Sequence, residues 1–210
     1  AFGGSIAVSV LILALSRLRQ ITPEAMVLSG VALSSLFSGA TTLLQYFADE
    51  VQLTSLVFWT FGDLGRTGWG EVGIMAAVAA AAGIYFFFNR WNYNALESGE
   101  QTAVSLGVNV GRLRIVSVLL CSVVAAVVVS YVGIINFIGL VAPHMVRRFL
   151  GDNHCYLIPG SALMGAVLLL LGDLAARNVA APVVLPIGAI TSFLGAPLFL
   201  YLLFKGRNRP

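Results

Sequence analysis

Apolar residues fall into long runs separated by short polar breaks, and the run lengths set the first expectation. Ala25 to Phe47, Gly73 to Phe88, Ile115 to Ile135, Cys155 to Gly172 and Pro186 to Phe204 each approach or exceed the length that crosses a bilayer, about 20 apolar residues. A further run, Ala1 to Leu15, opens the chain without an initiating Met, so the sequence reads as the later part of a longer one, with spans missing before it. Runs that recur along the whole length are not a signal peptide. The pattern predicts an all-α, polytopic transmembrane bundle forming one domain over residues 1–210.

The polar breaks carry their own signals. Thr22, Pro23 and Glu24 make a helix start, with Thr as cap, Pro in the first turn and an acid beside the helix N-terminus. Ser29, Gly30, Ser34, Ser35, Ser38 and Gly39 recur at helical spacing and predict close helix packing. Val51 to Gly65 is too short to span and predicts an outer-surface or re-entrant helix ended by Gly62, with Trp59 and Trp69 in an interfacial belt. Asn89 to Arg114 is longer than a tight turn. Ser98 followed by acids predicts a helix from Glu100 to Leu106 stopped by Gly107, and Asn92 to Leu96 a second one. Leu96, Ala103, Val104 and Leu106 give the segment an apolar face, which favours docking of a cytoplasmic partner over a solvated connection. Asp173 and Arg177 stand four apart and can pair on one helix face, and the last span is expected to begin near Pro186.

Charge decides how INFIGLVAPHMVRRFLG (Ile135 to Gly151) is to be read. If this stretch stays on one side, the twelve basic residues divide six against six. If it crosses as a short span, Arg17, Arg19, Arg90, Arg112, Arg114, Arg147, Arg148, Lys205, Arg207 and Arg209 share one side, and only Arg66 and Arg177 face the other. Cytoplasmic loops carry the excess of Lys and Arg, so the crossing is preferred: seven spans in all, with the C-terminus in the cytoplasm. Gly133, Gly139 and Pro143 are expected to loosen this short span, and Arg147 and Arg148 to end it at the cytoplasmic surface. His144, near that end, fits a structural hydrogen bond better than catalysis.

Composition agrees. The chain is 59% hydrophobic and 10% charged, with mean hydropathy +0.93, against roughly 25% charged residues in soluble domains. Cys121 and Cys155 provide no disulfide framework, and no metal or cofactor motif occurs. The net charge of +3 reflects loop placement and suggests no nucleic-acid partner. There is no Walker motif, HExxH, CxxC or GxSxG, so an enzyme is not expected.

Five blocks in order resemble a known family: FIGLVAPHMVRR (Phe137 to Arg148), PGSAL (Pro159 to Leu163), GDLAAR (Gly172 to Arg177), LPIGAITSFLGAPLFLYLL (Leu185 to Leu203) and a basic tail. They are similar to the FecCD family, the permease subunits of ABC importers for ferric siderophores, haem and cobalamin; VLSGVALSSL (Val27 to Leu36) and FWTFGDLG (Phe58 to Gly65) extend the likeness. The resemblance implies a type II importer permease of ten spans, of which this chain holds the last seven, in the cell membrane as a homodimer. It implies a substrate-binding protein outside, two copies of a separate cytoplasmic ATPase that hydrolyses ATP, and alternating access between the two faces. Residues 90–113 would be the coupling segment, with Ala95, Leu96, Glu100, Ala103, Leu106 and Gly107 at the ATPase. Glu100, Ala103 and Gly107 echo the E-A-A-x-x-x-G pattern of importer permeases, from which Gln101 and Thr102 depart. Arg177 matches a position that presents a basic residue to the binding protein. The substrate is not specified, since importers of several chelates share these blocks. The rival reading is a proton-coupled secondary transporter titrating Asp173, His144 or Glu71; a non-transporting scaffold is a third.

Overall fold

The computed structural model describes Gly3, Gly4, Ala7 and residues 23–206, with side chains described between 28 and 201. Most of the first apolar run, Arg17, Arg19, the cap Thr22, Arg207 and Arg209 lie outside the described residues, and so does the side chain of Lys205. The described chain is helical throughout, in the order α1 (Pro23–Phe47), α2 (Glu50–Phe61), α3 (Trp69–Phe88), α4 (Arg90–Glu97), α5 (Glu100–Ser105), α6 (Val110–Val132), α7 (Ile138–Leu150), α8 (His154–Asn178) and α9 (Ile187–Gly206). Among the described residues α3, α6 and α8 are both long and apolar enough to cross a membrane, with 20, 23 and 25 residues. At about 1.5 Å per residue they reach roughly 30 Å or more, the thickness of the hydrocarbon core. This is a membrane protein built as a helical bundle.

Helix ends follow local chemistry. Asp49 accepts from the Gln52 N–H at 2.8 Å and starts α2, which Gly62 ends at φ 70°. Glu71 reaches back to the Gly68 N–H at 2.9 Å, so α3 begins at Trp69, four residues before the expected Gly73. Asn109 caps α6 by accepting from the Arg112 N–H at 3.0 Å. The last residues of the 90–113 segment therefore belong to a long helix. Inside the apolar helices the hydroxyls of Thr41, Thr42 and Ser130 bond to backbone carbonyls four residues earlier, within their own helix.

The bundle has two poles. At one, the ends of α2, α6 and α8 meet the starts of α7 and α9; the Asp63 N–H donates to Val132 O at 2.8 Å. At the other, Arg147 at the end of α7 lies 3.5 Å from Glu97 at the end of α4. Short as it is, α7 runs from one pole to the other. Arg90, Arg112, Arg114, Arg147 and Arg148 gather at the second pole and Arg66 and Arg177 at the first, the division that the crossing reading requires.

One expectation fails. Gly139 and Pro143 do not loosen α7, which is continuous through both; the irregular backbone lies before it, from Gly133 (φ 82°) to Phe137 (φ 65°). On α1, a Cβ at Gly30 or Gly39 would meet nothing within 4 Å among the described residues, while Ser29 and Gly30 are half-buried. Close packing among the described helices occurs on α8. A Cβ at Gly160 would stand 2.9 Å from Val146 Cγ1 of α7, and one at Gly172 would stand 3.4 Å from Thr191 Cγ2 of α9. Leu163, Leu170, Leu171 and Leu174 of α8 face outward. Glycine inward and leucine outward is the pattern of a helix between protein and lipid.

Candidate functional site: the double helix at the basic pole

Between the long helices α3 and α6 the chain makes two short ones. Asn89 turns it out of α3, its amide donating to Tyr85 O at 3.0 Å while its Oδ1 accepts from Asn92 at 3.0 Å. α4 follows at once, starting at Arg90 rather than the expected Asn92. Ser98 does not begin the next helix. It closes α4, and Gly99 at φ 115° turns the chain into α5. A serine disfavours that backbone angle and a glycine adopts it freely, which moves the boundary by one residue.

α5 ends in a Schellman motif: the Gly107 N–H donates to Val104 O at 2.9 Å and the Val108 N–H to Ala103 O at 3.0 Å, with Gly107 at φ 85°. The expected stop at Gly107 is there. The expected apolar face is divided. Ala103 is fully buried, 0% exposed, whereas Leu106 is 67% exposed. Leu106 is the C-cap, where the chain already leaves the helix, so a three-residue spacing no longer places it over Ala103. Val104 and Trp91 are also exposed, while Ala95 and Leu96 are half-buried. Glu100 lies 3.4 Å from Arg114, both largely in solvent. The segment thus has a buried anchor and an exposed apolar set of Trp91, Val104 and Leu106 on the polar end of a membrane bundle.

Further contacts tie the segment to the α7–α8 turn. Asn94 Oδ1 accepts from the His154 N–H at 2.9 Å and lies 2.8 Å from His154 Nδ1, and its amide donates to Asn153 Oδ1 at 3.1 Å. Arg147 stands 3.5 Å from both Glu97 and Asp152. Tyr93 stacks on His154 with centroids 5.7 Å apart, and its hydroxyl is 2.6 Å from Ser117 Oγ. Burial pushes the Tyr93 phenol above its ordinary value. His144 bonds through Nδ1 to Leu140 O at 3.0 Å and packs edge-on to Phe199, a structural arrangement. At the opposite pole the Arg177 Nε donates to Asp173 Oδ2 at 2.8 Å.

The sequence pattern of the FecCD transport family matches residues 1–205. The chain belongs to that family. It is 57% identical over 209 residues to a Methanocaldococcus jannaschii protein named as an ABC transporter permease protein, covering 100% of this chain and 60% of that one. It is 36% identical to the hemin transport system permease protein HmuU of Yersinia pestis, over 100% of this chain and 63% of HmuU. A solved structure described as an inward-facing conformation of a metal-chelate type ABC transporter superposes with a TM-score of 0.86 at 32% identity, covering 95% of this chain and 64% of that one. The chain thus spans less than two thirds of the length of these relatives.

Sequence reasoning singled out this segment and missed its attachments. Asn94, Glu97 and Tyr93 were not singled out, because their partners lie on α6, α7 and α8. Trp91 was also missed. Its signal was available: a tryptophan in a polar stretch that no apolar run explains.

Proposed function

We propose that this chain forms most of the membrane permease subunit of an ABC importer, carrying an iron chelate, haem or a cobalamin-like compound into the cytoplasm by ATP-driven alternating access. The observation that carries the reading is the exposed set of Trp91, Val104 and Leu106 on α4 and α5. Apolar side chains left open at a charged pole suit burial under a protein partner, and the family supplies the kind of partner: a separate ATPase subunit, in two copies, which would hydrolyse the ATP. Glu100 and Gly107 would set the edge and the end of that surface, Ala95 and Leu96 its inner side, and Ala103 its attachment to the bundle. On this reading the basic pole and the C-terminus are cytoplasmic, with Arg147 and Arg148 at the surface and His144 one turn inside. Arg177, at the outer pole, would meet a substrate-binding protein while exchanging some of its hold on Asp173. A second copy of the permease would complete the assembly, as the family implies.

The test uses the full-length permease co-expressed with the ATPase encoded beside it. Leu106→Glu and Val104→Glu should abolish co-purification of the ATPase and uptake of haem, cyanocobalamin or an iron(III)-hydroxamate, while the permease still elutes as a folded membrane protein. Normal co-purification by both variants would refute the docking surface. Uptake that persists without ATP and collapses with an uncoupler would refute the importer class.

A further inference from the structure

An α-helix leaves its first N–H groups without partners inside the helix, and they must be satisfied from elsewhere. At the start of α8 the work is divided between two residues. Asn153 accepts from the Cys155 N–H at 3.0 Å, as a local cap does. The His154 N–H is taken at 2.9 Å by Asn94, which belongs to α4 and lies 60 residues earlier in the chain. The other half of the Asn94 amide donates to Asn153, the local cap itself, at 3.1 Å. Both ends of one side chain on the docking segment are therefore committed to the N-terminus of a membrane-spanning helix. Glu97, one turn further along α4, adds Arg147 of α7 at 3.5 Å and His154 at 3.6 Å.

Separating α4 from α8 would leave the His154 N–H and the Asn94 side-chain oxygen without each other in a half-buried place, a costly state. Moving the two together leaves every bond intact. α5 has no comparable hold on α8; its ion pair reaches the start of α6 and is exposed. A push on the docking segment is therefore transmitted by the geometry to α8, and through Arg147 to α7.

We propose that Asn94, supported by Glu97, is a positioning residue that makes α4 and the α7–α8 hairpin one rigid body, so that displacement of α4 by the cytoplasmic partner is delivered directly to these two membrane helices. This rests on the reading of α4 and α5 as the ATPase-docking segment.

The experiment uses the full-length permease with its ATPase and binding protein in proteoliposomes, scoring uptake of haem, cyanocobalamin or an iron(III)-hydroxamate per ATP hydrolysed. For Asn94→Ala combined with Glu97→Gln, ATPase co-purification and ATP hydrolysis should persist while uptake per ATP falls roughly five-fold or more, the low end of coupling between sites. Asn94→Asp keeps an acceptor for the His154 N–H and should restore most of it. Uptake per ATP equal to wild type would overturn the proposal, as would loss of ATPase binding in step with uptake, because the clasp would then serve docking. Hydrogen exchange on the wild-type complex needs no variant: amides 154–157 should be equally protected without nucleotide and with ATP–vanadate, and opening of that turn in either state would also overturn it. If the wild-type permease binds no ATPase, the functional reading fails first and takes this proposal with it.

Discussion

Replacing Gly188 by alanine isolates one packing contact at the pole where α2, α7 and α9 meet. Gly188 is the second residue of α9, and a Cβ there would lie 2.7 Å from Ile134 O and 2.8 Å from Phe61 O. Both are backbone atoms, on the loop before α7 and on the end of α2, so neither can rotate away. The same Ile134 oxygen would lie 2.8 Å from a Cβ on Gly62. Overpacking of this kind costs about 1–3 kcal/mol, from which the helix preference of alanine over glycine recovers at most about 1 kcal/mol. The net cost, up to about 2–3 kcal/mol, should lower the melting temperature of Gly188→Ala by up to a few degrees. The assay is thermal unfolding of the full-length permease in detergent, followed by size-exclusion chromatography, beside Gly165→Ala. Gly165 lies mid-helix on α8, where a Cβ would meet its nearest atoms at 3.7 and 3.8 Å, an ordinary contact. That variant should be neutral or slightly more stable. Equal behaviour of the two would refute the claim that glycines at this pole are required by close approach.

Two smaller perturbations follow from the basic pole. Ala103→Leu forces extra volume into a site with no exposure and should cost about 1–3 kcal/mol, read as faster proteolysis within residues 90–109; Val104→Leu, on the exposed side, should leave the cleavage rate unchanged. Asn109→Ala removes the acceptor for the Arg112 N–H and should cost about 1 kcal/mol of cap energy, seen as a small fall in melting temperature that Asn109→Asp largely reverses.

What could be read ahead of the structure was what depends on neighbours in sequence. Gly62 and Gly107 mark helix ends through contacts within a few residues, and the pairing of Asp173 with Arg177 is an i,i+4 relation. The charge count could set Arg147 and Arg148 apart from Arg66 and Arg177, as the two poles do, because it sums over the whole chain. The rest required the fold. A glycine needed because a distant carbonyl approaches it, as at Gly188, looks in sequence like a glycine that bends a helix, as Gly139 was expected to do. The same holds for Asn94, a polar residue on a short helix until α8 is brought beside it. Within six-residue α5, the boundary at Leu106 decided which apolar residues face the bundle, and periodicity cannot locate an end to one residue.

The short crossing can be argued to a last prediction. Thirteen residues of α7 rise about 20 Å, some 10 Å less than the hydrocarbon core. The five non-helical residues from Gly133 to Phe137 can cover the deficit, since extended chain advances up to about 3.3–3.6 Å per residue. Such backbone is tolerated at membrane depth only when protein covers it, and here the cover is partial: Gly133 is buried, Ile135 and Phe137 are half-buried, and Ile134 and Asn136 are exposed. Ile134 O is flanked by Gly62 and Gly188, the Asn136 amide reaches Ser192 Oγ at 3.5 Å, and Phe137 lies over Gly195 of α9. A Cβ on Gly195 would stand 2.5 Å from Phe137 Cβ and 3.0 Å from its Cγ. Phe137 itself holds φ 65°, an unusual angle for an aromatic residue, so its position depends on the surface beneath it. Gly195→Ala should therefore displace Phe137 and the start of α7, and hydrogen exchange should rise selectively over residues 137–141. Adding Phe137→Ala removes Cγ and the ring but leaves Cβ, and should recover only part of the protection; Phe137→Gly removes both close atoms and the strained angle, and should recover more. Full recovery with Phe137→Ala would mean that the ring alone sets the fit, and that backbone approach at this pole is looser than these distances require.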